Sequence, residues 1–387
     1  MTKRFIKPGD DVDGPLYSIQ TDGEMVCASH TKSDYINHWI RTQGEKVNCT
    51  YCNKLRNCIE LSDLLDLIVV GIDCLFEDPA NSRYLNKDSE YGFDGNVFDF
   101  YELWHEDRLG LEINNDKLFE DAFKYFNCDQ LFVDKDEFGS ELEYFEDVWA
   151  HFTSIVKYKA RYVFHREEEF QNHQFTDPVT ILFSIEKSIK NFNLFKTIPA
   201  NSILYRCRQH EKNAVKNGAD MASPPSDCQK VNGRMSPAGI SMFYCSQKKA
   251  LTIQEVVRKS RKDKPYYSTA IFRNNKSLNL VDLSIIPEIP SIYDSDKNHT
   301  IAKLLFLKGF SNDISKSIND SDEIIEYIPT QIVTEYIKYN KELKADGIIY
   351  NSSKNDKMKN IVLFFDHEQS TENLTFSERS LRTNKWK

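Results

Sequence analysis

Between Asn232 and Val257 the chain reads NGRMSPAGISMFYCSQKKALTIQEVV, so a glycine-arginine turn, a short apolar strand and a helix follow one another without a spacer. This compression limits the fold more than any other stretch, because short connections keep consecutive elements adjacent in space. Gly233-Arg234 and Pro237-Ala238-Gly239 punctuate the chain as turns, and Ile240 to Cys245 reads as a strand. Lys248 to Lys259 follows as a helix, with Leu251, Val256 and Arg258 on different faces and Glu255 in its middle. Arg234 before the strand, Tyr244 near its end and Glu255 on the next helix can therefore converge on one cleft.

Two further stretches pair naturally with it. Ser202 to Gln209, SILYRCRQ, starts as an apolar strand and ends in Tyr205, Arg206 and Arg208. Downstream, IPTQIVTEYIKY runs up to Tyr339, and Asp346 to Phe365, DGIIYNSSKNDKMKNIVLFF, reads as strand, polar turn, strand. The order YR, GRMSPAGISMFY with a helical glutamate, YIPTQ, DGIIYNSS and NIVLFF resembles the RES-domain family, named for its arginine, glutamate and serine. The resemblance covers residues 197 to 367, in the family's order.

The chain's 387 residues are enough for two or three domains, each with its own core. A formal charge of −9 argues against a general nucleic-acid binder, which needs clustered Lys and Arg, although it leaves room for a local basic pocket. No apolar run approaches the ~18 residues of a membrane span. The opening residues, MTKRFIKPGDD, lack the apolar core of a signal peptide. The expectation is a soluble, cytoplasmic protein without membrane or nucleic-acid partners. Nine cysteines in such a chain favour reduced thiols, some of them on metal, over a disulfide framework.

Residues 1 to 60 form a lead-in and a candidate zinc knuckle. Cys27-Ala28-Ser29-His30 and Cys49-Thr50-Tyr51-Cys52 each have ligand-x-x-ligand spacing, with a short helix expected from Asp34 to Thr42. Four such ligands close a tetrahedral Zn²⁺ site and leave no open position, as a structural rather than catalytic zinc requires. The alternative is scattered reduced cysteines; Cys58 and His38 are the substitutes should one ligand differ.

Residues 61 to 195 read as a helical domain. Glu60 to Leu75 is apolar enough for a largely buried helix, with its aspartates at a wet edge, and Asp94 to Trp104 leads through a loop to a short helix. Glu141 to Arg166 is the longest helical pattern; Phe145, Val148, Trp149, Phe152, Val156 and the run Tyr158 to Tyr162 supply its apolar stripe. Pro178 marks a boundary region, and Val179 to Asn191 is a further helix that packs on the C-terminal domain as much as on its own. A knuckle followed by such helices resembles the N-terminal domain fused to RES domains and assigned to the HEPN superfamily. Many HEPN proteins are ribonucleases with an arginine and a histidine that enclose four to six residues between them. Arg161 and His165 enclose only three, so an ordinary exposed pair is the better reading, and a sensing, oligomerisation or autoinhibition role is expected.

For residues 196 to 367 the resemblance implies an α+β fold akin to ADP-ribosyltransferases, two packed sheets with a cleft for NAD⁺, and NAD⁺ destruction by hydrolysis or phosphorolysis, often as the toxin of a toxin-antitoxin pair. It implies roles for Arg206, Glu255 and Ser352 in catalysis and for Arg234, Tyr244, Tyr205 and Gln331 around the substrate. The residue types suit that chemistry. Arginine forks fit phosphate oxygens, and a carboxylate opposes the positive charge that develops at an anomeric carbon. Tyr244 either contacts nicotinamide or is a core aromatic with a wet tip. Ser352 and Ser353 are neighbours of which one faces the cleft, there to bond phosphate or ribose. Gln331 either supports the site or satisfies backbone groups at a helix start. The NAD⁺ that the resemblance implies is expected as a substrate rather than a recycled cofactor, since no G-x-G-x-x-G follows a strand. Residues 210 to 231 are either a lid or a mobile loop, and residues 368 to 387 a polar, frayed tail. The alternatives are ADP-ribose transfer to a macromolecule, and a dinucleotide sensor coupled to a HEPN-type ribonuclease. An antitoxin and a second copy of the chain are the partners to expect in a bacterial defence effector.

Overall fold

The structure is a computed structural model, and it describes residues 21–79, 97–113, 115–126, 130–134, 139–162, 178–212, 214–258, 261–316, 323–352 and 358–386. By internal contacts the chain forms two units, Met1–Phe145 with Ile289–Ala302, and Glu146–Glu288 with Lys303–Lys387. No helix among the described residues is long and apolar enough to cross a membrane.

The first unit opens with β1 (Met25–Cys27), α1 (Asp34–Gln43), β2 (Glu45–Asn48) and β3 (Leu55–Glu60), the strands forming a small sheet in the order β1-β3-β2. Helix α1 starts where the Ser33 side chain accepts from the Ile36 amide, in the N-cap position that serine favours. Next come α2 (Leu61–Leu75), β4 (Phe76–Glu77), β5 (Val97–Phe98), α3 (Phe100–His105), α4 (Asp116–Phe123) and β6 (Phe132–Asp134). The α2 helix buries Leu61, Leu64, Leu65, Ile68, Ile72 and Leu75, as its apolar density predicts. Asp63 and Asp73 are exposed and Asp66 is half-buried, which puts the aspartates at the expected wet edge, and desolvation raises the Asp63 and Asp66 carboxyls above their ordinary range. Asp99 and Glu102 form a capping box that sets the start of α3.

The second unit takes in α5 (Gly139–Tyr158) from Glu146 onward, then α6 (Pro178–Asn191). Trp149 explains why α5 packs here: its Nε1 donates to Asp313 at 2.6 Å, and its ring meets Phe306 and Phe310. Glu186 of α6 accepts from Tyr336 and Asn340 at 3.0 and 2.6 Å, so this helix does pack on the C-terminal body. The α5 helix ends at Tyr158, short of the expected Arg166. Tyr158 and Tyr162 are 69% and 83% exposed and do not extend the buried stripe. Phe145 and Val148 lie among side chains outside the described set.

The remaining elements are β7 (Phe195–Ile198), β8 (Ile203–His210), β9 (Phe243–Cys245), α7 (Lys249–Val256), β10 (Tyr266–Asn274), β11 (Leu278–Asp282), α8 (Ile301–Ser315), α9 (Glu323–Glu326), α10 (Ile328–Tyr339), β12 (Gly347–Asn351), β13 (Lys359–Leu363), α11 (His367–Asn373), β14 (Leu374–Phe376) and β15 (Arg382–Lys385). Five strands form one sheet in the order β7-β11-β12-β13-β9. In the other, β10 pairs with β8 on one edge and with β14 and β15 on the other. Leu204, Ala270 and Phe272 from the second sheet meet Phe243, Leu280, Ile349, Ile361 and Leu363 from the first in one core. The fold is therefore α+β with two packed sheets. Reciprocal bonds between Tyr205 and Ser246 join the sheets at one corner, at 2.7 and 2.9 Å.

Three boundaries differ from the sequence reading. The strand before Cys245 begins at Phe243 and not Ile240, because Gly239 turns the chain at φ +87° and Ile240 bonds back to Pro237. Helix α7 ends at Val256, since Gln209 binds both the N–H and the C=O of Arg258 at 3.0 Å and draws that residue out of the helix. The C-terminal residues are not frayed: β15 pairs with Tyr266–Thr269, and Ser268 Oγ bonds Thr383 Oγ1 at 2.7 Å. The four β15 side chains are exposed, so the segment reads as polar while its backbone completes a sheet.

Candidate active site and metal cluster

Strand register assigns the site a face. Tyr350 lies opposite Asn360 across β12 and β13, and Tyr244 lies opposite Val362 across β13 and β9. Residues opposite one another share a face, and alternate residues along a strand return to it. Tyr244, Tyr350 and Asn360 therefore occupy the face turned away from the inter-sheet core, whose side is taken by Cys245, Ile349 and Ile361. A cavity of about 340 Å³ opens there, lined by Arg206, Arg234, Tyr244, Glu255, Tyr350 and Asn360 among others.

Arg206 comes from the middle of β8 and is 8% exposed. Its Nη1 donates to Tyr244 O at 3.0 Å and its Nη2 to Ala222 O at 3.3 Å, with the guanidinium 4.4 Å from the Phe243 ring centroid. Nε finds no partner, and no carboxylate pairs with this arginine among the described residues. Burial pushes its pKa down to about 10, so it stays charged near neutrality. An enclosed cation balanced only by carbonyl dipoles and an aromatic face favours an incoming anion.

Arg234 is held from several sides. Its Nη1 donates to Ile314 O and Lys316 O at 2.6 and 2.5 Å, and its guanidinium lies 5.3 Å from the Tyr327 ring centroid. Gln331 Nε2 donates to Gly233 O at 2.8 Å and Thr330 Oγ1 to Arg234 O at 2.6 Å, so the start of α10 fixes the turn that carries the arginine. The Tyr244 hydroxyl accepts from Met235 N at 3.1 Å and bonds Ser236 Oγ at 3.0 Å. This tyrosine thus ties down the turn with its tip while its body lines the cavity.

Gly233 is required by this closeness. A Cβ there would lie 2.7 Å from Ser236 Oγ and 2.9 Å from the Tyr244 hydroxyl, which is locked by its own bonds. Gly233→Ala is expected to destabilise the second unit by about 1–3 kcal/mol, the cost of overpacking, read as a lowered denaturation midpoint. An unchanged midpoint would show that the turn relaxes freely.

Glu255 stands in the last turn of α7 and accepts a hydrogen bond at Oε1 from Ser352 Oγ. Ser352 is 1% exposed and is not among the residues that line the cavity. Ser353 lies outside the described residues. Tyr205 and Gln331 also lie off the lining, the first joining the sheets through its backbone and the second supporting the Gly233 turn.

Sequence reasoning missed Tyr350, Asn360 and a wall made by Arg258, Glu323 and Tyr327. Glu323 accepts from Tyr327 at 2.9 Å and pairs with Arg258 at 2.7 Å. Tyr350 could have been found, because it stands two residues before Ser352 and strand alternation turns both to one side. The segment between β8 and β9 is partly anchored: Ser223 Oγ donates to Phe365 O at 2.8 Å, and Gln229 and Val231 line the cavity.

In the first unit, ligand atoms of Cys27, His30, Cys49 and Cys52 all lie within 4.8 Å of one another. Cys27 and Cys52 sulfurs are 3.7 Å apart, and Cys49 Sγ is 3.3 Å from His30 Nε2. Tetrahedral zinc with ~2.3 Å sulfur bonds separates its sulfurs by about 3.8 Å, so the four residues fit such an ion. Asn53, at φ 53°, makes the turn that closes the second knuckle. Burial, with Arg56 nearby, lowers the His30 pKa and favours the neutral imidazole that a metal ligand requires. Cys58 instead donates to Val47 O at 3.6 Å, and His38 is exposed. The cluster could therefore hold a metal ion with the four residues named from the sequence. Arg161, by contrast, caps α5, bonding the Val156 and Lys157 carbonyls at 3.5 and 3.4 Å, and His165 lies outside the described residues.

Comparison with known proteins agrees with both halves. A family model described as HEPN/RES N-terminal domain 1 matches residues 42–170, and the RES domain model matches residues 203–381. No curated protein matches the chain in sequence. A RES domain is consistent with an NAD-related enzymatic role. The chain thus belongs to the RES-domain family, with a HEPN/RES N-terminal domain 1 ahead of its RES domain.

Proposed function

We propose that this protein cleaves the nicotinamide-ribose bond of NAD⁺. The observation that carries the reading is one cavity in which two arginines without a carboxylate partner among the described residues, Arg206 and Arg234, face a carboxylate, Glu255, held by Ser352. Guanidinium forks suit a pyrophosphate. A fixed carboxylate suits the ribose hydroxyls and the oxocarbenium-like centre that forms as the bond breaks. In the reaction, the C1–N bond of the ribose breaks and its electron pair passes to the pyridinium nitrogen, releasing neutral nicotinamide. Water or phosphate then adds to the anomeric carbon, and water yields its proton to solvent.

The acceptor is read from the product. NAD⁺ is incubated with purified protein, with and without phosphate, and the ribosyl product identified. ADP-ribose marks hydrolysis, ADP-ribose 1″-phosphate marks phosphorolysis, and label on protein or nucleic acid marks transfer to a macromolecule. NAD⁺ that stays intact, with no nicotinamide released, would sink the reading. In a bacterial cytoplasm such an enzyme acts as a toxin or antiphage effector by NAD⁺ depletion, held in check by a protein antitoxin. The four-ligand cluster then serves as a structural zinc site in a regulatory N-terminal module.

A further inference from the structure

The floor of the cavity holds two polar side chains that the cleavage chemistry above does not use. Tyr350 and Asn360 are direct cross-strand partners, and both line the cavity. They are 7% and 6% exposed, and no hydrogen bond to either side chain is seen among the described residues, while neither belongs to the buried polar atoms left unpartnered, so their polar tips open to the cavity. Polar tips that open to a cavity without a protein partner are free to bond a ligand there. Burial raises the Tyr350 hydroxyl well above its ordinary pKa, and Tyr244, Arg234 and Glu255 all act on it, which sets it among the other site residues. It is therefore a neutral O–H donor. The asparagine offers both N–H donors and a C=O acceptor.

We propose that Tyr350 and Asn360 form a specificity subsite for the edge of a planar group carrying a donor beside an acceptor. The side-chain amide of asparagine pairs with such an edge through two parallel hydrogen bonds, as it does with adenine or with another amide. On the reading of the protein as an NAD⁺-cleaving enzyme, two parts of the substrate present that edge: the carboxamide of nicotinamide and the amino-purine edge of adenine. The nearness of Tyr350 to Glu255, the group that would face the ribose, favours the carboxamide. The subsite would then reject the nicotinic acid dinucleotide, whose carboxylate has no N–H to offer Asn360.

The test measures binding, so it does not depend on turnover. Full-length protein carrying Glu255→Gln is titrated calorimetrically with NAD⁺, nicotinic acid adenine dinucleotide and nicotinamide hypoxanthine dinucleotide. The same titrations are made after adding Asn360→Leu or Tyr350→Phe. The expected result is at least about tenfold tighter binding of NAD⁺ than of the acid analogue, a gap that Asn360→Leu closes. If the gap and its closure appear with the hypoxanthine analogue, the subsite stands and its ligand is adenine. Ratios that neither variant moves overturn the proposal, as does failure of all three probes to bind. Should Asn360→Leu not fold, Tyr350→Phe decides, since it keeps the ring and removes only the hydroxyl. Selective binding without nicotinamide release by the unsubstituted protein would remove the enzymatic reading and leave the subsite. Release with flat ratios would do the reverse.

Discussion

Replacing Glu255 by glutamine is expected to lower the rate of nicotinamide release by about 10²–10³-fold with the denaturation midpoint little changed. Glutamine keeps the shape and can still accept from Ser352 Oγ, so the loss isolates the carboxylate's charge, which acts when the ribose becomes positive. Ser352→Ala should cost less, about tenfold, because it leaves the charge and removes only the bond that aims it. Ser352→Thr should recover part of that loss. Added to Glu255→Gln, Ser352→Ala should cost almost nothing further, since residues that act as one unit are non-additive. Fully additive losses, measured as kcat/KM on the four combinations, would mean that the serine acts on substrate directly and not through the glutamate.

Cys49→Ala carries the second large effect. The four-residue cluster joins the end of β1 to the turn between β2 and β3, and the apolar cluster around it is small: Cys27, Cys49 and Cys58, with Met25, Val47, Tyr51 and Cys52 packed beside them. A structural zinc in so small a module contributes much of its folding free energy, an apparent ~10–16 kcal/mol in isolated zinc-finger peptides. Purified protein is expected to contain close to one zinc per chain by elemental analysis, and Cys49→Ala to contain little. A chelator should lower the first unit's denaturation midpoint by several degrees, and Cys49→Ala should be insensitive to it. Cys58→Ala should leave zinc content intact, because that thiol bonds the Val47 carbonyl and stands outside the ligand set. Metal-free protein with an unaltered midpoint would reduce the cluster to buried thiols.

Why some features were legible follows from their range. The knuckles and the β12-turn-β13 unit are local, so ligand spacing and apolar runs declare them. Arg206, Arg234, Tyr244 and Glu255 come from neighbouring short elements, and their shared cavity follows from short connections. The Ser352 bond to Glu255 spans 97 positions and the Gln331 bond to Gly233 spans 98, and no periodicity encodes such distances. Asn360 precedes Ile361-Val362-Leu363-Phe364-Phe365, where a lone polar residue reads as a strand margin. Only its register against Tyr350 reveals it as part of the cavity. In β15 the error had another source: an exposed edge strand with four polar side chains has the composition of a tail, and its order comes from backbone pairing with β10.

The central claim is most directly tested by incubating the purified full chain with NAD⁺ and following nicotinamide by chromatography, beside Arg206→Ala and Glu255→Gln. The account predicts nicotinamide appearing in step with NAD⁺ loss in the unsubstituted protein and falling by at least about a hundredfold in the glutamate variant. NAD⁺ that stays intact in every sample, or is lost equally from all three, would contradict it.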